Sequence, residues 1–147
     1  MIAKSLSPPA RLFDSLRRVG ILPRWPCFAS KKAQKKAARV NFDWTELSDV
    51  VGKVDEELGE TKEALATGDA AKIADEIGDL LFAVVNLARK TGLDAESALQ
   101  AGTDKFVARF NRVEDELRSR GKKLGEGQLE ELDEIWNSIK KTPNAQR

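Results

Sequence analysis

The chain has 147 residues, room for one domain, and its 33% charged and 41% hydrophobic content is that of soluble globular proteins. It holds no histidine and one cysteine, Cys27, which rules out an internal disulfide and argues against a zinc site or a Ser-His or Cys-His catalytic pair. The net charge of +1 conceals an asymmetry, since residues 1–40 carry ten Lys/Arg against the single acid Asp14, and the remainder carry fifteen against twenty-three.

The first thirty residues are interrupted by Pro8, Pro9, Gly20, Pro23 and Pro26. Residues 11–19 make at most a turn or two of amphipathic helix through Leu12, Leu16 and Val19. Residues 1–30 therefore read as a basic, poorly ordered lead segment. An organelle transit peptide would share its basic, acid-poor character, but Pro8-Pro9 cuts the amphipathic pattern. Residues 31–40, KKAQKKAARV, are basic and helix-prone. A nucleic-acid binder would use such a face, yet no aromatic residue is interleaved and the segment merges into the body, so no nucleic-acid partner is expected. Residues 31–147 are read as one domain.

The body is punctuated as helices. Asp43 is the expected N-cap of a helix over residues 44–66, with Glu46 three positions on as in a capping box and Leu47, Val50, Val51, Val54 and Leu58 at helical spacing. Thr67-Gly68-Asp69 forms a turn, and Asp69 caps a second helix over residues 70–90. Ile73, Ile77, Leu80, Leu81, Val84 and Leu87 form its stripe, and Gly92 ends it. Asp94 caps a third helix over residues 95–120, with Leu99, Phe106, Phe110, Val113 and Leu117 inside and Gly121 as its stop. A glycine-containing loop, residues 122–127, leads to a last helix over residues 128–141 carrying Leu129, Leu132, Ile135, Trp136 and Ile139. No strand pattern of useful length occurs, so the fold class is all-α with four to five helices. The stripes are wide for the modest core that ~100 residues can bury, so homodimerisation is expected to complete the bundle. The longest apolar run, residues 80–85, is far too short to span a bilayer. No membrane partner is expected, and the lone cysteine fits a reducing, cytoplasmic compartment.

Two acidic clusters lie on the first two body helices. Glu56-Glu57-Leu58-Gly59-Glu60 places Glu57 and Glu60 on one face, and Glu76-Ile77-Gly78-Asp79 does the same for Glu76 and Asp79. If these helices pack antiparallel, four carboxylates converge. Like charges that close repel unless a hard divalent cation lies between them. Magnesium favours oxygen ligands and keeps open positions for phosphate oxygens, with manganese as a substitute. The pattern reads as a phosphate-handling metalloenzyme. Glu56 neighbours the ligands and either positions the attacking water or is an exposed helix residue. Asn86, seven residues after Asp79 on the same face, either contacts substrate or metal-bound water or makes an interhelical hydrogen bond.

E-E-x-x-E followed by E-x-x-D, with AARVNFDW (37–44), DEIGDLLFAVVNLAR (75–89), KFVARF (105–110), SRG (119–121) and LDEIWNSIK (132–140), resembles the MazG family of nucleoside triphosphate pyrophosphohydrolases. The likeness is to the C-terminal domain of bacterial MazG and covers residues 31–141. It implies hydrolysis of a nucleoside triphosphate to monophosphate and pyrophosphate, with Glu57, Glu60, Glu76 and Asp79 as magnesium ligands. It also implies Lys105 and Arg109 as triphosphate contacts, and Lys53, Trp136 and Lys140 as nucleotide contacts. Related helical enzymes specific for dUTP, dCTP or phosphoribosyl-ATP stay open as alternatives, as does a non-catalytic helical dimerisation module.

Overall fold

A computed structural model describes residues 26–125 and 129–141. Among these, five helices and no strand are present: α1 (Pro26–Ala38), α2 (Leu47–Thr67), α3 (Ala70–Lys90), α4 (Ala95–Ser119) and α5 (Leu129–Lys141). The all-α expectation holds. The helices fall into two compact units, Pro23–Gln100 and one that includes Ala101–Arg147, with the boundary inside α4.

In the first unit the helix ends are set by local chemistry. The helix expected over residues 31–40 runs Pro26–Ala38 instead. Proline reads as a breaker in sequence, but at the first helical position it loses no hydrogen bond and its φ suits the turn. The rest of the lead segment, residues 1–25, lies outside the described residues. At the end of α1, Asn41 adopts a left-handed φ of 63°. The Phe42 N–H donates to the Ala37 carbonyl at 3.2 Å and the Asn41 N–H to Ala38 at 3.2 Å, the paired bonds of a Schellman motif. Gly92, at φ 76°, closes α3 in the same way through Leu93 N–H to Ala88 and Gly92 N–H to Arg89.

Helices α2 and α3 form a hairpin about Gly68, at φ 68°, and Asp69 caps α3 by accepting from the Ala71 and Lys72 amides. Asp94 likewise accepts from the Ser97 amide at the start of α4. The expected cap on α2 differs. The helix begins at Leu47, Glu46 occupies the N-cap with no side-chain bond, and Asp43 is engaged elsewhere. Helix α1 lies against α3, with the buried Gln34 amide donating to the Phe82 carbonyl at 2.9 Å.

The face of α2 turned inward is Val50, Glu57, Thr61 and Ala64, and α3 buries Ala83, Val85 and Asn86. This corrects the expected stripes. Leu47, Val51 and Leu58 of α2 and Ile77, Leu81 and Val84 of α3 are exposed, Leu81 to 61%. Of the expected positions Val50 is buried and Val54, Ile73, Leu80 and Leu87 are half-buried, so each expected stripe straddles the buried face and an exposed one.

In the second unit α4 and α5 pack through Val113, Leu117, Ile135 and Ile139, with Leu132 and Trp136 against them. Gly121 ends α4 at φ 73°, with Lys122 N–H donating to Leu117 and Gly121 N–H to Arg118. Arg120 and Lys122 both reach Glu131, at 3.3 and 2.6 Å, and tie the end of α4 to the start of α5. These exposed pairs contribute little beside the apolar cluster. Leu117 is its most enclosed member, so Leu117→Ala should lower the unfolding free energy by about 3 kcal/mol. Denaturant titration reads this directly, and a loss under 1 kcal/mol, taken as about the least a packed core leucine should lose, would deny that α4 and α5 share one core.

Candidate metal centre

The α2–α3 hairpin is antiparallel in the register the acidic motifs need. Thr61 lies beside Glu76, its hydroxyl 3.4 Å from the Glu76 carbonyl while it donates to the Glu57 carbonyl at 2.7 Å. One turn back along α2, Glu57 therefore meets Asp79 of α3. Glu57, Glu76 and Asp79 each offer a carboxylate oxygen, and the three oxygens lie within 4.8 Å of one another.

Burial increases inward through this group. Asp79 is exposed, Glu76 half-buried, and Glu57 only 5% exposed. Glu57 is held on one side by the Lys53 ammonium at 2.6 Å, one turn earlier on α2. Its Oε2 is buried and, among the described residues, has no hydrogen-bond partner. A buried, unpaired carboxylate oxygen is costly, and here it lies in a group whose other members are also carboxylates. An all-oxygen donor set of this kind suits a hard divalent cation such as magnesium or manganese. The residues fit the ion the motif implies.

Glu60 is exposed and lies outside that group of three. It shares their electrostatic surroundings nonetheless. Partial desolvation and the negative charges of Glu57 and Glu76 push its carboxyl above the usual range. Glu56 is exposed and pairs with Lys53 at 2.9 Å. Lys53 thus bridges two acids, and its hydrogen bonds to Glu57 and Glu56 push its ammonium well above the ordinary lysine range.

A cavity of about 220 Å³ opens from this group. Glu57, Asp79 and Lys53 line one part of it, and Trp44, Val50, Phe82, Ala83 and Asn86 the rest. Asn86 makes no interhelical bond through its side-chain oxygen. Both Nε and Nη2 of Arg89 donate to its Oδ1, at 2.9 and 2.7 Å. The same guanidinium donates two bonds to Asp43, at 3.1 and 2.6 Å. Lys90 adds a bond to Asp43 at 3.3 Å and another to the Trp44 carbonyl. Asp43 is the anchor of a clamp rather than a helix cap. The clamp fixes the segment after α1 onto the end of α3 and sets Trp44 beside the cavity.

The other residues singled out in the sequence belong to the second unit. Lys105 is exposed and Arg109 half-buried on α4, and Lys140 is exposed on α5. Trp136 is half-buried against the apolar cluster, its ring 5.3 Å from that of Phe106. Sequence reasoning passed over Asp43 as a clamp, and over Trp44, Phe82, Arg89 and Lys90 as lining or support. Trp44, Phe82 and Arg89 were signalled only by membership of the family-like segments, and Lys90 lies one residue past such a segment.

An antiparallel helical hairpin thus gathers carboxylates at the mouth of a small cavity in an all-α domain. Residues 46–114 match the MazG nucleotide pyrophosphohydrolase domain, and the chain carries a domain of that family. It is 46% identical over 114 residues to the nucleoside triphosphate pyrophosphohydrolase of Escherichia coli, covering 76% of this chain and 43% of that protein. It is 42% identical over 125 residues to the nucleoside triphosphate pyrophosphohydrolase/pyrophosphatase MazG of Thermotoga maritima, covering 84% of this chain and 48% of that protein. The chain thus spans less than half the length of these two relatives. A third, the uncharacterized protein YabN of Bacillus subtilis, is 42% identical over 67 residues, 46% of this chain and 14% of that protein.

The clamp has a defined pH response. Hydrogen bonds from Arg89, then those from Lys90, lower the Asp43 carboxyl from its ordinary 3.8 to about 2. A group depressed on folding stabilises the fold above its unfolded pKa and loses that contribution as pH falls through the folded one. The stability difference between the native chain and Asp43→Asn should therefore be full above 3.8 and vanish toward 2. Urea melts across that range measure it. A difference that stays constant down to pH 2 would contradict the Arg89 bridge.

Proposed function

We propose that this chain is a magnesium-dependent nucleoside triphosphate pyrophosphohydrolase. It converts a ribo- or deoxynucleoside triphosphate to the monophosphate and pyrophosphate, and clears excess or non-canonical nucleotides from the cytoplasmic pool. The observation that carries this reading is Glu57, a buried carboxylate with an unpaired oxygen grouped with Glu76 and Asp79. The match to a nucleotide pyrophosphohydrolase domain supplies the reaction class.

Glu57, Glu76 and Asp79 would hold the cation, with Glu60 at the exposed edge. When bound, magnesium supplies a Lewis acid for phosphate oxygens and lowers the pKa of water. The chain's own residues do the rest. Lys53 fixes the Glu57 carboxylate at 2.6 Å. Glu56, turned to solvent beside Lys53, orients the water that attacks the α-phosphorus. Trp44, Val50 and Phe82 give the cavity its apolar lining, which excludes competing water. Lys105 and Arg109, four residues apart on α4, are assigned to the triphosphate by family likeness, and arginine presents a planar fork suited to phosphate. Trp136 and Lys140 are assigned to the nucleotide by family likeness.

A homodimer belongs to the same proposal. Leu47, Val51, Leu58, Ile77, Leu81 and Val84 leave an exposed apolar face on the α2–α3 hairpin, and exposed apolar surface of that kind marks an association site. A second copy of the chain offers the same face in return. Leu81→Asp should shift the sedimentation coefficient from dimer to monomer. Sedimentation unaltered by that change would place the interface elsewhere.

The reaction is tested by separating products after incubation with eight nucleoside triphosphates, with magnesium and with EDTA. Monophosphate plus pyrophosphate should appear with magnesium only, and the panel ranks base and sugar preference, including dUTP and dCTP. Glu76→Ala should lower turnover by at least ~1,000-fold, a loss of about 4 kcal/mol of transition-state stabilisation, with helical circular dichroism unchanged. Orthophosphate as the product, or turnover of Glu76→Ala near the native rate, would overturn the proposal.

A further inference from the structure

The hydrogen bonds around Asn86 settle which way its amide faces. A guanidinium has only donors, and two of them, Nε and Nη2 of Arg89, converge on one atom of the Asn86 side chain. That atom must be the carbonyl oxygen Oδ1, and two donors fill its two lone pairs. It has no capacity left to ligate a metal or accept from a substrate. The amide nitrogen Nδ2 is the group that remains. Among the described residues no protein acceptor takes its two N–H bonds, and Asn86 is 5% exposed and lines the cavity with Trp44 and Phe82.

Arg89 is itself held. Two bonds to Asp43, at 3.1 and 2.6 Å, lock its plane, and Lys90 adds a third contact to the same carboxylate. Asp43, Arg89 and Asn86 are therefore a relay of fixed polarity, with acceptor at one end and an outward donor at the other. A ligand acceptor would satisfy that donor. Its distance from the acidic group says which part of a ligand that is. Seven residues of helix separate Asp79 from Asn86, about 10 Å along α3, roughly the reach from an α-phosphate to the far side of its nucleoside. Trp44 and Phe82 line the same cavity with aromatic surface.

We propose that Arg89, anchored by Asp43, is a positioning residue that presents the Asn86 Nδ2 amide to a carbonyl, ring-nitrogen or hydroxyl acceptor of the substrate's nucleoside moiety. This rests on the nucleotide reading above and assigns a specificity role to residues beyond the carboxylates. Lysine cannot replace Arg89, because one ammonium cannot hold Asp43 and Asn86 with two parallel pairs of bonds.

The test is a double-mutant cycle read by calorimetric binding of an α,β-imido nucleoside triphosphate with magnesium. The base is that of the best-hydrolysed nucleotide, or adenine if none is hydrolysed. Arg89→Lys and Asn86→Ala should each weaken binding by about tenfold, the effect of one lost hydrogen bond to a ligand. The double variant should bind no more weakly than either single one. Asn86→Asp keeps the Arg89 pair but replaces the donor with a carboxylate oxygen. It should keep the native melting temperature while losing affinity, so the inference stays testable if Arg89 variants fail to fold. Native affinity in Asn86→Asp or Arg89→Lys overturns the inference, as does a double variant whose loss is the product of the two singles. Native protein that binds the analogue but hydrolyses no triphosphate would remove the proposed reaction and leave the relay supported by its cycle. Native protein that does neither would overturn both.

Discussion

Glu57 occupies a place where a helical hairpin of this size would ordinarily hold a leucine. It lies on the same face of α2 as Val50, Thr61 and Ala64, and that face is turned to α3. Burying an unpaired carboxylate costs far more than burying a leucine gains. Lys53 offsets part of the cost at one oxygen. The other oxygen has no partner among the described residues and shares its surroundings with Glu76 and Asp79. The hairpin is thus built around a charge that the protein alone does not fully satisfy.

The rest of the first unit follows from this polar seam. With Glu57, Thr61 and Asn86 turned inward, much of the apolar side-chain area of α2 and α3 cannot reach the interior of the unit. It emerges on another face as Val51, Leu58, Ile77, Leu81 and Val84. The seam also needs a wall at its far end, and the Asp43–Arg89 clamp provides one by holding Trp44 to the end of α3. Buried ion pairs add little net stability compared with apolar packing. What this one contributes is placement, because two parallel bonds define an orientation that a single bond does not.

Much of the fold was legible in the sequence because its determinants are local. Gly68, Gly92 and Gly121 end helices where left-handed backbone is required, and Asp69 and Asp94 accept the first free amides within three residues of themselves. The carboxylate pairs were legible for the same reason, since Glu76 and Asp79 share a face at a fixed spacing. The errors occurred where a distant partner decides. Asp43 has the form of an N-cap, but Arg89, 46 residues away, outcompetes the α2 amides for it. The α2 stripe was assigned to Leu47, Val50, Val51, Val54 and Leu58 because hydrophobicity was taken to mark the inside, and of these Val50 is fully buried while Leu47, Val51 and Leu58 are exposed. The buried face instead contains an acid, which no hydropathy pattern anticipates. Pro26 was taken for a breaker, although as the first residue of a helix it costs nothing.

On the proposed reading, Glu57, Glu76 and Asp79 together bind a divalent cation before any nucleotide arrives. Electron paramagnetic resonance of manganese titrated into the nucleotide-free protein measures free ion directly, without reference to turnover. Saturable manganese binding that magnesium displaces, and that Glu57→Gln weakens by at least ~10-fold, about 1.4 kcal/mol, is the result this account predicts. Binding equally strong in Glu57→Gln, or none in the native protein, would contradict it and leave the buried carboxylate without a role.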